Sequence, residues 1–435
     1  MRISVIGCGY LGAVHAASMA ELGHDVVGID VDPGKVQALS AGRAPFFEPG
    51  LPEILESAAA TGRLRFTTDV SAAAGSAVHF VAVGTPQSRG SNSADLTYVN
   101  AAVDALLPHL AEGDLVVGKS TVPVGTAMGL APRIEETGAA LAWNPEFLRE
   151  GYAVKDTIAP DRLVYGLPSG ERGAKAKQLL DEVYATALGN GTPQVVADYQ
   201  TAELVKVAAN AFLATKISFI NAMAEIAEVA DADVTLLADA IGYDARIGRR
   251  FLNAGIGFGG GCLPKDIRAF TARAEELGRG ESVAFLKEID AINLRRRQRM
   301  VDLVVEALGG QVFKKKVTVL GLAFKPDSDD VRDSPALDVA VQLNGRGAHV
   351  IATDPEAIPN SIRLQPQLGF ATDTTDALHG ADAVVLVTEW KEYLELDPVA
   401  LKELVRTPLI IDGRNILDPE QWRAAGWTYL GMGRL

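Results

Sequence analysis

Two stretches of this chain, one at its start and one after Lys314, follow the same plan. In the first, the β-rich run Ile3-Ser4-Val5-Ile6-Gly7 leaves room for one helix before Asp25-Val26-Val27-Gly28-Ile29-Asp30. In the second, Val317-Thr318-Val319-Leu320-Gly321 precedes a helical stretch and then Ala348-His349-Val350-Ile351-Ala352-Thr353-Asp354-Pro355, an ending that mirrors Asp30-Val31-Asp32-Pro33. A third run, Val78 to Val83, has its counterpart in Ala383 to Val387. Continuous apolar runs that alternate with helical stretches read as strands of a parallel sheet covered on both faces. The predicted class is therefore α/β, with two Rossmann-like, doubly wound parallel-sheet domains. Between them, from Asp198 to about Ala232, lies a stretch without Gly or Pro, a helix of roughly 50 Å at 1.5 Å per residue. It is apolar on more than one face, at Val207, Phe212, Ile217, Phe219 and Ile220, so this central helix is expected to pack against a second subunit as well. The boundaries expected are 1–197 for the first domain, 198–300 for a central helical dimerisation region and 301–435 for the second α/β domain.

Charge and cysteine count narrow the function. The 435 residues carry 41 basic and 55 acidic side chains, a formal charge of −14, which disfavours nucleic acid or an anionic membrane as partner. Any phosphate must be gripped locally. The two cysteines, Cys8 and Cys262, make no disulfide framework, and no uninterrupted apolar run reaches the roughly 18 residues a bilayer crossing needs. The apolar N-terminus, broken by Gly7, Gly9 and Gly12, reads as a strand and not as a signal peptide, so a cytoplasmic protein without a membrane partner is expected. The six histidines show no metal-binding spacing, and no metal site is predicted.

Gly7-Cys8-Gly9-Tyr10-Leu11-Gly12 follows a predicted strand and opens a helix, and Asp30 comes 30 − 12 = 18 residues after the last glycine. Glycines there let backbone amides approach a pyrophosphate, while the Asp30 carboxylate would accept from ribose hydroxyls and repel a 2′-phosphate. NAD is favoured over NADP, and Cys8 reads as a small packing residue. Gly113-Asp114-Leu115-Val116-Val117-Gly118-Lys119-Ser120 has the letters of a P-loop, but its variable residues form the strand itself and Pro123 interrupts the following helix, so a phosphotransferase using Lys119 is disfavoured. Lys119, Ser120 and Thr121, like Thr85-Pro86 and Asn144-Pro145-Glu146, sit instead at C-terminal strand ends, where open α/β sheets hold ligands.

Residues Gly255 to Asp266 hold five glycines just before Cys262, with Lys265 beside it. Free amides in such a loop could cradle a diphosphate, and the cysteine is a candidate nucleophile whose thiolate a nearby cation favours. Lys206 and Asn210, four residues apart on the long helix, share a face and could aim at one ligand.

In order along the chain, Gly7 to Gly12 with Tyr10, Glu48-Pro49-Gly50-Leu51, Lys119-Ser120-Thr121-Val122-Pro123, Asn144-Pro145-Glu146-Phe147-Leu148 with Glu150, Lys206 with Asn210, Gly257 to Asp266, Phe324-Lys325 and Asp412-Gly413-Arg414 resemble the motifs of the UDP-glucose/GDP-mannose dehydrogenase family over nearly the whole length. The resemblance implies a four-electron oxidation of a sugar C6 alcohol to a carboxylate with two NAD, through a thiohemiacetal and a thioester on Cys262. It implies that Lys206 stabilises the developing alkoxide, that Asn210 adds a hydrogen bond, and that Asp266, through a water near Thr121, handles the proton. The resemblance also implies that Glu150 is the base for thioester hydrolysis and that Glu146 supports the same pocket. NAD would touch Gly7, Gly9, Tyr10, Gly12, Asp30, Lys35, Thr85, Thr121, Glu150, Lys265 and Arg332. The nucleotide sugar would meet Glu146, Phe147, Leu148, Lys206, Asn210, Arg246, Phe251, Gly257, Phe258, Phe324, Lys325 and Arg414, with Arg246 reaching across a subunit interface of a homodimer or larger homo-oligomer. Asp412-Gly413-Arg414-Asn415 and Phe324-Lys325 favour UDP-glucose as the substrate. Gly261, where many members have serine, and Leu263 directly after the cysteine leave GDP-mannose and UDP-N-acetyl sugars as alternatives. A two-electron hydroxy-acid dehydrogenase or a non-catalytic NAD sensor would have no use for the cysteine loop.

Overall fold

The computed structural model describes residues 1–434. Both sheets expected from the internal repeat are present. The first contains β1 (Arg2–Ile6), β2 (Asp25–Ile29), β3 (Leu64–Thr67), β4 (Val78–Val81), β5 (Leu115–Gly118), β6 (Ala140–Trp143), β7 (Leu163–Gly166) and β8 (Gln194–Ala197). Their order is 3-2-1-4-5-6-7-8, parallel throughout except for one antiparallel pair between Trp143 and Gly166. The first six strands thus have the doubly wound order, whose reversal between β1 and β4 opens a crevice at the C-terminal strand ends. The apolar runs are strands for the reason anticipated: β4, β5 and β7 are buried along their whole length, between cores built from Ile3, Val5 and Phe80 on one face and Val81, Val116 and Trp143 on the other.

The second sheet repeats the plan with β9 (Lys316–Leu320), β10 (His349–Thr353), β11 (Gly369–Phe370), β12 (Ala383–Leu386), β13 (Leu409–Asp412) and β14 (Thr428–Gly431), in the order 11-10-9-12-13-14 and all parallel. Asp354 stands directly after β10 as Asp30 stands directly after β2. Asp354 is buried and spent on its own chain, accepting from the amides of Leu322, Ala323, Glu356 and Ala357 and from the Trp390 indole.

The chain divides into two compact units, residues 1–209 with 272–278, and residues 210–271 with 279–435. The helix expected over Asp198–Ala232 is observed as Tyr199–Ala230. By length and composition alone it could cross a membrane, with mean hydropathy 1.3 over its most apolar window. Yet 44% of that window is buried inside the protein, and its polar residues bond inward: Ser218 Oγ donates to Ile289 O at 2.8 Å and Asn221 Oδ1 accepts from Gly255 N at 2.9 Å. That is how a core helix behaves.

Candidate active site

In the first unit the glycine-rich turn has the shape a dinucleotide needs. Gly7 stands at φ +90°, donating its amide to Ile29 O at 2.7 Å, and the helix Tyr10–Glu21 begins at once. A Cβ on Gly12 would lie 1.7 Å from the carbonyl oxygen of Gly7, so no other residue lets helix and strand approach this closely. A Cβ on Gly9 would meet nothing within 4 Å, which leaves the helix N-terminus open to a ligand. Asp30 is fixed at the end of β2, its two carboxylate oxygens accepting from the amides of Cys8 at 2.7 Å and Asp32 at 2.9 Å. Asp32 in turn caps the helix Pro33–Ser40 through the amides of Gly34 and Lys35. These residues fit NAD. Cys8 is buried, and desolvation followed by the Asp30 charge pushes its thiol up to about 12, so it is an inert packing residue.

The neighbouring strand ends supply the polar groups. Thr85 Oγ1 donates to Thr121 O at 2.8 Å, joining two residues assigned to the cofactor from loops after β4 and β5. Lys119 heads no phosphate loop: its Nζ points into the protein and donates to Asn144 Oδ1 at 2.9 Å and Tyr184 OH at 3.2 Å. After β6, Glu146 folds back to accept from Leu148 N at 2.7 Å and forms an ion pair with Lys206 Nζ at 3.0 Å. Phe147 lies under two cations, Arg162 at 3.8 Å and Lys206 at 5.5 Å from the ring centre. Lys206, read from a different motif than Glu146 and Phe147, therefore joins them in one cluster, and Leu148 and the partly buried Glu150 continue the same turn.

The second unit holds the cysteine loop. Its glycines are demanded by packing: a Cβ would fall 2.3 Å from Asn293 Oδ1 at Gly257 (φ +94°) and 2.8 Å from the Phe324 ring at Gly260 (φ +85°). Four amides that could have faced a diphosphate are already used, those of Gly255, Ile256, Phe258 and Gly260 donating to Asn221, Gly413 O, Asn293 and Arg332 O. The loop is a rigid platform more than an open cradle. Arg414 braces it, donating to Gly257 O at 2.9 Å, Phe324 O at 3.1 Å and Val387 O at 2.8 Å and pairing with Glu389 at 3.1 Å. Its own turn is held by the wholly buried Asp412, which accepts from the amides of Arg414, Ile416 and Leu417 and whose pKa burial raises.

On this platform Cys262 is exposed, immediately before the helix Leu263–Glu276. One turn on, Asp266 is buried and accepts from Asn210 Nδ2 at 2.7 Å and Lys265 Nζ at 2.6 Å. Thus Asn210, Lys265 and Asp266 form a second cluster. Arg332 pairs with Asp330 at 2.6 Å and packs where a Cβ on Gly261 would stand, while Lys325 lies 5.5 Å from the Phe324 ring centre. Arg246 lies on the surface, 89% exposed, closed on Asp244, and Phe251 is partly exposed with φ +66°.

Comparison with known proteins agrees with this division of labour. Residues 1–188 match the NAD binding domain, 200–295 the central domain and 318–419 the UDP binding domain of the UDP-glucose/GDP-mannose dehydrogenase family. The chain belongs to that family. It is similar to a UDP-glucose 6-dehydrogenase of Rhizobium meliloti, 44% identical with both chains covered completely, and to one of Bacillus subtilis, 42% identical over 100% of this chain and 93% of that one. Among solved structures it resembles a UDP-glucose dehydrogenase from Pyrobaculum islandicum, with TM-score 0.89, 40% identity and coverage of 100% and 98%. It also resembles a UDP-D-ManNAc dehydrogenase from Pyrococcus horikoshii, with TM-score 0.85, 27% identity and coverage of 100% and 99%.

Two carboxylates in this family member escaped sequence reasoning. Glu48, quoted above only as part of a motif, is buried and accepts from Gly151 N and Ala153 N, each at 2.7 Å, and from the Tyr10 hydroxyl. It ties the dinucleotide turn to the loop carrying Glu146 and Glu150. Glu203 does the same for the loop after Thr121, accepting from Gly125 N and Ala127 N at 2.7 Å each, and burial raises its pKa. The available signals were Glu-Pro-Gly-Leu at position 48 and a glutamate one helical turn before Lys206. Glu48→Ala leaves the Ala153 amide without its acceptor, the Gly151 amide with only the Tyr10 hydroxyl at 3.2 Å, and the partly buried Tyr10 hydroxyl without its carboxylate. The first unit should lose roughly 3 kcal/mol, a Tm lower by about 5–10 °C in calorimetry, with weaker NAD binding. A Tm within about 1 °C of wild type would contradict this role.

Proposed function

We infer that this protein oxidises UDP-glucose at C6 to UDP-glucuronate, with two NAD reduced for each sugar and Cys262 holding the carbon between the two steps. The observation that carries the reading is the exposed Cys262 at a helix start, on a loop made rigid by close packing, with the Asn210-Lys265-Asp266 cluster one turn away. Relatives from Rhizobium meliloti, Bacillus subtilis and Pseudomonas aeruginosa that are 38–44% identical over this full chain are UDP-glucose 6-dehydrogenases, which favours UDP-glucose over GDP-mannose and UDP-N-acetyl sugars.

Bound at the Gly7–Gly12 turn, NAD supplies the hydride acceptor for each oxidation. The chain's own groups do the rest. The Lys206 ammonium, held by Glu146, stabilises the oxygen as it becomes an alkoxide, Asn210 donates a hydrogen bond, and Asp266 takes part in removing the proton. The helix start favours negative charge on sulfur, so Cys262 acts as a thiolate and adds to the aldehyde. The resulting thiohemiacetal loses a second hydride and a proton to become a thioester. Water, activated by Glu150, then cleaves the carbon–sulfur bond, releasing the carboxylate and regenerating the thiol.

The same reading keeps three functional segments, 1–197 for NAD, 198–300 for the thiol and subunit contact, and 301–435 for the UDP moiety. Phe212, Phe219 and Ile226 recur every seven residues along the helix Tyr199–Ala230 and are 67%, 47% and 57% exposed, a stripe suited to a second copy of the chain in a cytoplasmic homodimer. Incubation with limiting UDP-glucose should yield two NADH per sugar by absorbance, with GDP-mannose and UDP-N-acetyl sugars turned over poorly. One NADH with free aldehyde would overturn the four-electron reading.

A further inference from the structure

The motif that imitates a P-loop is left without a role by the proposed chemistry, although it contains the most unusual cation in the first unit. Lys119 is 6% exposed and has no ion pair among the described residues. Burying an ammonium without a counter-ion is costly, and an apolar residue of the same length would fill the space more stably. What the ammonium does is close a triangle. It donates to Asn144 Oδ1 and Tyr184 OH, the Tyr184 hydroxyl donates to Asn144 Oδ1 at 2.6 Å, and Asn144 Nδ2 anchors the set on Val164 O at 3.0 Å. Asn144 is the first residue of the turn whose third residue, Glu146, pairs with Lys206.

Resting on the dehydrogenase reading, we propose that Lys119 is a positioning residue of the reaction: its ammonium locks Asn144, which sets Glu146 against Lys206, and loss of its proton unlocks that turn and slows oxidation. Groups facing it come from several elements. His15 lies on the helix Tyr10–Glu21, Tyr184 follows the helix Gly170–Val183, Glu146 is on the turn, Lys206 is on the long helix, and Asp156, Asp161 and Arg162 line the cavity beside it. Burial and the Lys119 charge lower the pKa of His15 well below its ordinary value, so His15 stays neutral and is not the switch. Burial also lowers Lys119 itself, to about 8, with Glu146 opposing the shift and Lys206 adding to it. The ammonium is therefore present below about pH 8 and lost above it.

The test is kcat against pH, between about pH 6.5 and 9.5, for wild type, Lys119→Met and Tyr184→Phe, with Tm and the KM for NAD measured alongside. Wild type should lose activity on the alkaline side with a midpoint near 8. Lys119→Met should have kcat lower by roughly ten- to a hundred-fold at neutral pH, a nearly unchanged KM for NAD, no alkaline limb in this range and a Tm that is not reduced. Tyr184→Phe keeps the ammonium but removes one of its acceptors, so the midpoint should move by about half a pH unit or more toward acid. Lys119→Met with wild-type kcat and limb, or Tyr184→Phe with an unmoved midpoint, would overturn the proposal. Should Lys119→Met fail to fold, Tyr184→Phe decides alone. A wild-type enzyme inactive on every nucleotide sugar would instead refute the function on which this inference rests.

Discussion

Cys262→Ala is expected to stop UDP-glucuronate formation, with kcat falling by roughly a thousand-fold or more while NAD affinity stays within about two-fold of wild type. The size of the effect follows from chemistry. A thiol is the group that converts the aldehyde into an adduct with a hydride to give, and the thioester that follows is the species water can cleave. The selectivity follows from structure: Cys262 is exposed, so alanine there opens no buried cavity, and the hydrogen bonds that shape the Gly7–Gly12 turn and hold Asp30 are made by other residues. Rapid quench with labelled UDP-glucose, together with titration of NAD by calorimetry, measures both. Uronate formed at the wild-type rate would remove the covalent step from the mechanism.

Lys206→Ala should lower kcat by roughly a hundred- to a thousand-fold, the magnitude typical of deleting one donor to a developing oxyanion. A second consequence is specific to this structure. Glu146 and Lys206 are 12% and 6% exposed at the side chain, so removing the cation strands a largely buried carboxylate 3.0 Å from where its partner was. Lys206→Ala should therefore destabilise the turn that also carries Phe147 and Leu148. Glu146→Gln in the same chain should restore part of the Tm without restoring kcat, because the neutral amide no longer needs the cation but supplies no positive charge to the oxygen. If the double variant recovers activity as well, Lys206 serves Glu146 alone and not the reacting oxygen.

The two carboxylate anchors show where sequence reading stops. Glu48 acts on Gly151 and Ala153, about a hundred residues away, and Glu203 acts on Gly125 and Ala127. Each is a hydrogen bond between elements, and no spacing rule along the chain encodes it. The glycine loop makes the same point from the other side. Its composition suggested open amides, but the Asn293 side chain, the Phe324 ring and Arg332 approach so closely that glycine is required for packing, and several amides are consumed by the chain itself. The Arg414 guanidinium, expected to grip substrate, also donates to three main-chain carbonyls and pairs with Glu389, contacts that no sequence spacing announces.

By itself the sequence determined the two parallel sheets, the long helix between Asp198 and Ala232 and the dinucleotide turn, because these depend on local quantities: the run length of apolar residues, the lack of glycine and proline, and the Gly7–Gly12 spacing followed by Asp30. Only the tertiary structure decided which charged groups meet. It turned the Lys119 ammonium inward to Asn144, joined Glu146 to Lys206, gathered Asn210 and Lys265 on Asp266, and left Cys262 exposed at a helix start. Burial and hydrogen-bond partners are properties of the packed chain, since they are set by residues tens to hundreds of positions apart, and the chemistry of each charged group follows from them.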